Sequence, residues 1–317
     1  MSKLCFNGRD IATSSESKTV LDALLAAGED VNYGCKSGVC LSCVVQSVDG
    51  DVPEVATKAL NESQRALNYF LPCQCELQSE MRIASLDQEQ LAVPGEVVLK
   101  DFLSPQVLRL RLKTDLEFRA GQFVTLWSPE GVGRSYSIAS IPSDGFIECH
   151  IKVIPDGKFS QWLAKDCQVG DAINIQGPMG LCFYQGSGSE RLILASIGTG
   201  FAPILGVLKD ALSKGHSGNI DLLIGAKTLE GFYQKGLIDA ILPSNEKIAV
   251  HWVCQEESAN DVVQSDIYEY AKAHFSDLAG SQVFVCGAES FVRKLKRHAF
   301  MAGAGMGDIH ADAFVSG

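Results

Sequence analysis

Apolar and polar positions change rhythm twice along this 317-residue chain. Up to about residue 88 the pattern is mixed. A helical stretch, Thr19–Ala27, closes at Gly28, and a strand-like run follows at Val44–Val48. From Glu96 to about Gln185, short alternating runs such as Val107–Leu112 and Ile147–Val153 lie between Gly and Pro turns, which predicts a β-barrel. From Arg191 onward the rhythm changes again. Apolar strands at Leu192–Ser196, Ile220–Gly225, Val250–Val253 and Val283–Cys286 alternate with helical stretches, as in a parallel α/β sheet. Val93-Pro94-Gly95 reads as the end of a linker. Three domains are expected, over residues 1–90, 95–188 and 190–317, with no internal repeat.

Composition narrows the class without changing that division. With 46% apolar and 21% charged residues the chain is of the soluble globular kind. Its first residues hold no apolar core of a secretory signal. The most apolar stretch, Leu192–Leu208, is broken by Ser196, Gly198, Thr199, Gly200 and Pro203, so a strand, turn and buried helix are expected there rather than a membrane helix. A net charge of −11 argues against nucleic acid. Residues 1–90 hold 7 Lys/Arg against 13 Asp/Glu, an acidic face suited to steering a basic protein partner. Eleven cysteines without a signal peptide point to reduced thiols or metal ligands, hence to the cytoplasm. Cys5, Cys149, Cys167, Cys182 and Cys254 are scattered singly and read as packing residues.

The remaining cysteines carry chemistry. Cys35, Cys40 and Cys43 have the spacing C-x4-C-x2-C, which with a distant fourth Cys is the plant-type [2Fe–2S] arrangement. Gly34 and Gly38 let the loop wrap tightly, and its N–H groups can bond cluster sulfurs. A structural zinc site would more often bring paired C-x2-C knuckles or His, and the nearest His is His150. Spacing leaves Cys73 and Cys75 both open as the fourth ligand. The segment resembles plant-type ferredoxin domains, whose last ligand is a Cys followed by Gln, and that resemblance implies Cys73 ahead of Gln74.

Downstream motifs occur in a fixed order. Gly121-Gln-Phe-Val124 precedes Arg134-Ser-Tyr-Ser137, then Gly157-Lys158-Phe-Ser160, then Gly177-Pro-Met-Gly180. Arg134 offers a two-pronged cationic fork, Tyr136 an aromatic face, and Gly157, Lys158 and Ser160 a helix start suited to an anion. The ordered set resembles the ferredoxin–NADP reductase superfamily over roughly residues 95–317. That resemblance implies a β-grasp ferredoxin domain, an antiparallel flavin barrel and a parallel α/β nicotinamide domain. It favours FAD over FMN and places Ser137 near flavin N5. Gly198-Thr199-Gly200-Phe-Ala-Pro203 is similar to the family's nicotinamide-site turn, and Cys286-Gly287 to its strand end, although Ala288 stands where Pro is common. Ile309-His-Ala-Asp312-Ala-Phe314 resembles its terminal segment with Asp for Glu. By resemblance Ser137, Cys286 and Asp312 shape hydride transfer, and Phe314 belongs to the cofactor site.

Coenzyme choice tips toward NADH, because Glu230 stands close to Lys227 and no Arg cluster offers itself to a 2′-phosphate; NADPH stays open. The domain order resembles oxygenase reductase components and the iron–sulfur reductases of deoxysugar dehydration. The expected function is therefore electron transfer from NAD(P)H through FAD and the cluster to a separate oxygenase or dehydratase. The alternatives are a stand-alone reductase of quinones or ferric chelates, and a non-catalytic redox sensor. No Rieske or di-iron ligand pattern is present to make the chain a terminal catalyst itself.

Overall fold

The computed structural model describes residues 3–13, 17–38, 41–60, 62–77, 80–86 and 92–314, without the side chains of residues 62, 63 and 244. Three sheets form along the chain, each from its own stretch of sequence.

The first sheet holds β1 (Lys3–Phe6), β2 (Arg9–Ile11), β3 (Val45–Asp49), β4 (Tyr69–Phe70) and β5 (Glu80–Ser85) in the order β2-β1-β5-β3-β4. β1 and β5 are parallel and the other pairs antiparallel. The sheet grips α1 (Val20–Ala26), whose Val20, Leu21, Ala23 and Leu24 are buried. Thr19 starts this helix with a reciprocal capping box to Asp22. Gly28 then leaves it in the left-handed region at φ 77°. The Val20 N–H donates to the Cys75 carbonyl at 2.8 Å, tying the helix start to the second cysteine segment. A short helix, α2 (Glu62–Ala66), precedes β4.

The second sheet is antiparallel throughout. β6 (Val93–Ser104), β7 (Val107–Lys113), β8 (Phe123–Trp127), β9 (Gly133–Ser137), β10 (Ile147–Lys152) and β11 (Ala172–Met179) run in the order β10-β7-β6-β11-β8-β9. A bridge between Ile138 and Cys149 joins its two edges and closes a barrel. Leu108, Leu110, Leu112, Val124, Leu126 and Ile151 fill the interior, and α3 (Lys158–Lys165) buries Phe159 and Leu163 against it. Val93-Pro94-Gly95, expected as linker, is instead the start of β6. It pairs with Ile175, Asn174 and Ile173 of β11, so tertiary pairing overrides a local turn signal.

The third sheet is wholly parallel: β12 (Leu192–Ile197), β13 (Ile220–Ala226), β14 (Ile248–Cys254), β15 (Val262–Gln264), β16 (Gln282–Ala288) and β17 (Ile309–Phe314). Its order is β15-β14-β13-β12-β16-β17. Helices α4 (Phe201–Ser213), α5 (Lys235–Ile241), α6 (Ile267–His274) and α7 (Glu289–Met301) complete it, with one apolar core on each face. The strand order reverses between β12 and β16, and in such sheets the crevice beyond the strand ends at that reversal receives the ligand. Among the described residues no helix is long and apolar enough to cross a membrane.

Candidate functional site

The cysteine loop is curled by left-handed backbone at Lys36 (φ 50°), Gly38 (φ 77°) and Leu41 (φ 54°). Cys35 is half-buried, and Cys43 and Cys73 are buried. Cys40 lies outside the described residues. The Ser37 N–H lies 3.4 Å from Cys35 Sγ, and Gln74 Nε2 lies 3.7 Å from Cys73 Sγ. Hydrogen bonding from Cys43 holds the Cys73 thiol down at about 7 against the opposing effect of burial, with Gln74 and the Gly38 N–H assisting. Cys75 differs. Its thiol lies 3.5 Å from its acceptor, the Glu76 carbonyl oxygen, and burial pushes it up to about 11. Among the described residues no group of three His, Cys, Asp or Glu is gathered closely enough to hold a metal ion. Adjacent thiols with N–H groups aimed at sulfur nonetheless fit a thiolate-held cluster, which needs donors toward its sulfurs.

This loop is seated on the end of the barrel. Cys35 and Leu41 pack on Phe123 and Met179. Ser42 Oγ lies 3.1 Å from Ser135 Oγ and 3.5 Å from Thr125 Oγ1, and those two lie 3.0 Å apart. Asn32 adds a two-point amide contact. Its Nδ2 donates to the Gly131 carbonyl at 3.4 Å, and its Oδ1 accepts from the Gly133 N–H at 3.1 Å. Sequence reading misses all of these contacts, because hydroxyls and amides lack a spacing signature until two sheets meet.

β9 presents the next group. Arg134 is exposed, has no carboxylate within ion-pair distance among the described residues, and donates to the Gly133 carbonyl at 2.7 Å. The Tyr136 ring lies 5.6 Å from that of Phe159 in the first turn of α3. Gly157 is the cap of that helix, with no side chain satisfying its first N–H groups at Lys158, Phe159 and Ser160. The Ser160 hydroxyl accepts from the Ile154 N–H at 3.1 Å and donates to the Gly157 carbonyl at 3.3 Å, which fixes the turn. A cation on the strand whose Tyr136 meets the first turn of α3, with no carboxylate paired to it among the described residues, fits an anionic dinucleotide.

At the strand reversal, Gly198–Gly200 forms a 3-10 turn leading into α4, with Pro203 in the first turn. A Cβ on Gly200 would come within 2.2 Å of the Cys286 carbonyl oxygen, so only glycine lets the turn sit against β16. Thr199 lies within that turn, and Gly287 follows Cys286 at φ 140°. Cys286 pairs with Asp312 across β16 and β17, and Ala288 with Phe314. The Ser137 hydroxyl donates to Asp312 Oδ2 at 3.0 Å, so β9 of the barrel and β17 of the parallel sheet meet here. Burial pushes the Asp312 carboxyl up to about 6; the Ser137 bond opposes the rise and nearby Cys35 adds to it. Burial likewise pushes the Cys286 thiol well up. Ser137, Asp312 and Cys286 thus converge at one junction, with the cysteine loop beside it. A Gly-rich turn at a strand reversal, leading into a helix, suits a nicotinamide dinucleotide.

Family comparisons bear on the same three stretches. Residues 6–78 match the 2Fe-2S iron-sulfur cluster binding domain, residues 94–184 the oxidoreductase FAD-binding domain, and residues 194–297 the oxidoreductase NAD-binding domain. The terephthalate 1,2-dioxygenase reductase component 2 of Comamonas sp is 30% identical over 315 residues, covering 95% of this chain and 93% of its own. The chain belongs to the ferredoxin–NAD(P)+ reductase family. A second family member, the reductase component of naphthalene 1,2-dioxygenase/salicylate 5-hydroxylase systems from Ralstonia sp, is 28% identical over 306 residues, 93% of each chain. Among solved structures, the ferredoxin reductase in carbazole 1,9a-dioxygenase aligns with a TM-score of 0.67 and 25% identity, over 99% of this chain and 98% of that one. As a family member the chain is a flavin-dependent NAD(P)H oxidoreductase with a [2Fe–2S] β-grasp domain, an FAD barrel and a parallel nicotinamide domain.

Proposed function

We propose that this chain is the reductase component of a multicomponent system, drawing electrons from NADH and delivering them singly to a separate oxygenase or dehydratase. The supporting observation is the junction itself, where Ser137 of the barrel bonds Asp312 of the parallel sheet at 3.0 Å and the cysteine loop packs on neighbouring Phe123. FAD, when bound, supplies the step from a two-electron hydride to one-electron transfer. The chain's own residues then have distinct tasks. Arg134 and the α3 start at Gly157, Lys158 and Ser160 hold the pyrophosphate, and Tyr136 covers the ring. Ser137, Cys286, Asp312 and Phe314 shape the hydride pocket, while Gly198, Thr199, Gly200, Pro203 and Gly287 seat the nicotinamide dinucleotide. Cys35, Cys40, Cys43 and Cys73 hold the cluster. The domains run over 1–90, 95–188 and 190–317.

Charge around the end of β13 favours NADH. Lys227 lies 3.3 Å from Glu256, and Glu257 accepts from the Leu229 N–H at 2.6 Å. With Glu230 exposed beside them, a 2′-phosphate would face net negative charge. The partner's docking face is assigned to the acidic first domain. Exposed Asp49, Asp51 and Glu54 flank Val48 and Val55, which are 65% and 57% exposed. The Leu71 N–H, next to the Cys73 turn, bonds the Ala56 carbonyl at 2.9 Å, so this patch adjoins the cluster segment. Such a face steers a basic partner in the cytoplasm.

Steady-state reduction of cytochrome c with NADH and NADPH in parallel tests this reading. A higher kcat/KM with NADH, falling with added salt for a basic acceptor, is the expected outcome. Preference for NADPH overturns the coenzyme assignment. Quinone reduction faster than any protein acceptor overturns the assignment to a multicomponent system.

A further inference from the structure

Two sulfurs assigned to separate tasks by sequence are neighbours. Cys182 Sγ and Cys286 Sγ lie 3.4 Å apart, although the residues are 104 positions apart in the chain. Cys182 belongs to the segment that leaves the flavin barrel after β11, and Cys286 lies within β16. Each backbone packs closely against a glycine. A Cβ on Gly121 would come within 2.2 Å of the Cys182 carbonyl oxygen, and one on Gly200 equally close to that of Cys286. The sulfurs are therefore held face to face by two close backbone approaches from different domains.

We propose that Cys182 and Cys286 form a dithiol site that small hydroperoxides oxidise to an interdomain disulfide. A disulfide needs about 2.05 Å between sulfurs, so the pair must close by roughly 1.3 Å from its 3.4 Å separation. Cys182 is the sulfur that reacts first. Both sulfurs are buried, but Cys182 follows Leu181, which is 76% exposed, whereas Cys286 lies within β16 and is fully enclosed. The Cys182 sulfur attacks the peroxide, the O–O bond breaks, and a sulfenic acid forms while the thiol's proton leaves on the departing oxygen as water or an alcohol. Cys286 Sγ then displaces the hydroxyl. Its proton leaves with that hydroxyl as water, and the S–S bond forms. The two sulfurs lose two electrons and the peroxide gains them. An external dithiol returns them by exchange. The bond takes the Cys286 sulfur out of the pocket beside Asp312 and ties the barrel's exit segment to β16, so hydride transfer stops. That consequence rests on the nicotinamide placement proposed above; the cross-link itself does not.

The experiment treats full-length holoenzyme with hydrogen peroxide without oxygen, alkylates free thiols after denaturation, and maps peptides by mass spectrometry. NADH–ferricyanide turnover is followed in parallel. The expected result is a Cys182–Cys286 cross-linked peptide, turnover lowered about tenfold, and recovery of both on adding dithiothreitol. Cys182→Ser, or Cys182→Ala where the serine variant fails to bind flavin, keeps turnover within about twofold before treatment and is inactivated about tenfold more slowly. Recovery of both cysteines as alkylated thiols after peroxide overturns the cross-link. Equal inactivation of parent and variant overturns its role in turnover.

Discussion

The Ser42 hydroxyl lies 3.1 Å from that of Ser135, joining the residue before Cys43 to the strand residue between Arg134 and Tyr136. With Thr125 they make a closed triangle of buried or half-buried hydroxyls at the boundary between cysteine loop and barrel. A buried hydrogen bond contributes about 1 kcal/mol, so losing it loosens the docked loop without touching the pyrophosphate or nicotinamide sites. Ser42→Ala is expected to slow cluster-dependent cytochrome c reduction about fivefold, while NADH–ferricyanide turnover through flavin stays within about twofold. Equal loss in both assays would show that Ser42 serves general stability instead.

Cys73 and Cys75, which spacing leaves equal, have different surroundings. Cys73 is hydrogen-bonded with Cys43, whereas the Cys75 thiol lies against the Glu76 carbonyl. Cys73→Ser is expected to remove the broad iron–sulfur absorbance while leaving the flavin bands. Cys75→Ser should keep both, with stability lowered by about 1–3 kcal/mol for a hydroxyl placed in an apolar site. A Cys75→Ser protein without cluster would reverse the ligand assignment.

How far the sequence could be read depends on how local each signal is. Strand runs such as Leu192–Ser196 and Ile220–Gly225 lie inside the observed β12 and β13, because a buried parallel strand writes its own apolar run. The Gly198–Gly200 turn was legible for the same reason. Val93–Gly95 reads as the end of a linker and is instead paired strand, because its partners in β11 lie about eighty residues away. Cys182 reads as a packing residue and is one, but its approach to Cys286 becomes visible only once barrel and parallel sheet are docked. Ser42 and Asn32 are of the same kind: their contacts lie across the boundary between cysteine loop and barrel.

Ser137 and Asp312 meet through one hydrogen bond of 3.0 Å, and burial holds the Asp312 carboxyl near 6. Removing a hydrogen bond that involves a charged group costs about 1.5–3 kcal/mol, so Ser137→Ala should slow flavin reduction by NADH roughly ten- to hundredfold in stopped flow. Asp312 is protonated below pH 6 and ionised above it. The rate of the parent should therefore show a limb near pH 6 that Asp312→Asn lacks. A limb unchanged in that variant would assign it to another group.

Glu148 anchors a buried polar chain from the barrel to the parallel sheet's domain. Its Oε2 accepts from Arg111 Nε at 2.6 Å and its Oε1 lies 3.1 Å from His150 Nε2, while His150 Nδ1 lies 3.1 Å from the Tyr233 hydroxyl. The bonds from His150 and Arg111 hold the Glu148 carboxyl down at about 2, although burial alone would raise it. A carboxyl lowered on folding stabilises fully above its ordinary value of about 4.5, and that contribution is lost as pH falls toward 2. Glu148→Gln removes the charge but keeps the shape, at an expected cost of about 1–3 kcal/mol at pH 7. A loss of that size lowers the melting temperature by several degrees, at about 2–4 °C per kcal/mol. At pH 4 the parent has already lost about 1 kcal/mol of this stabilisation, so the gap between parent and variant should narrow. Thermal unfolding followed by near-UV circular dichroism at both pH values measures it. A gap of constant size would mean that Glu148 acts through packing, not through its charge.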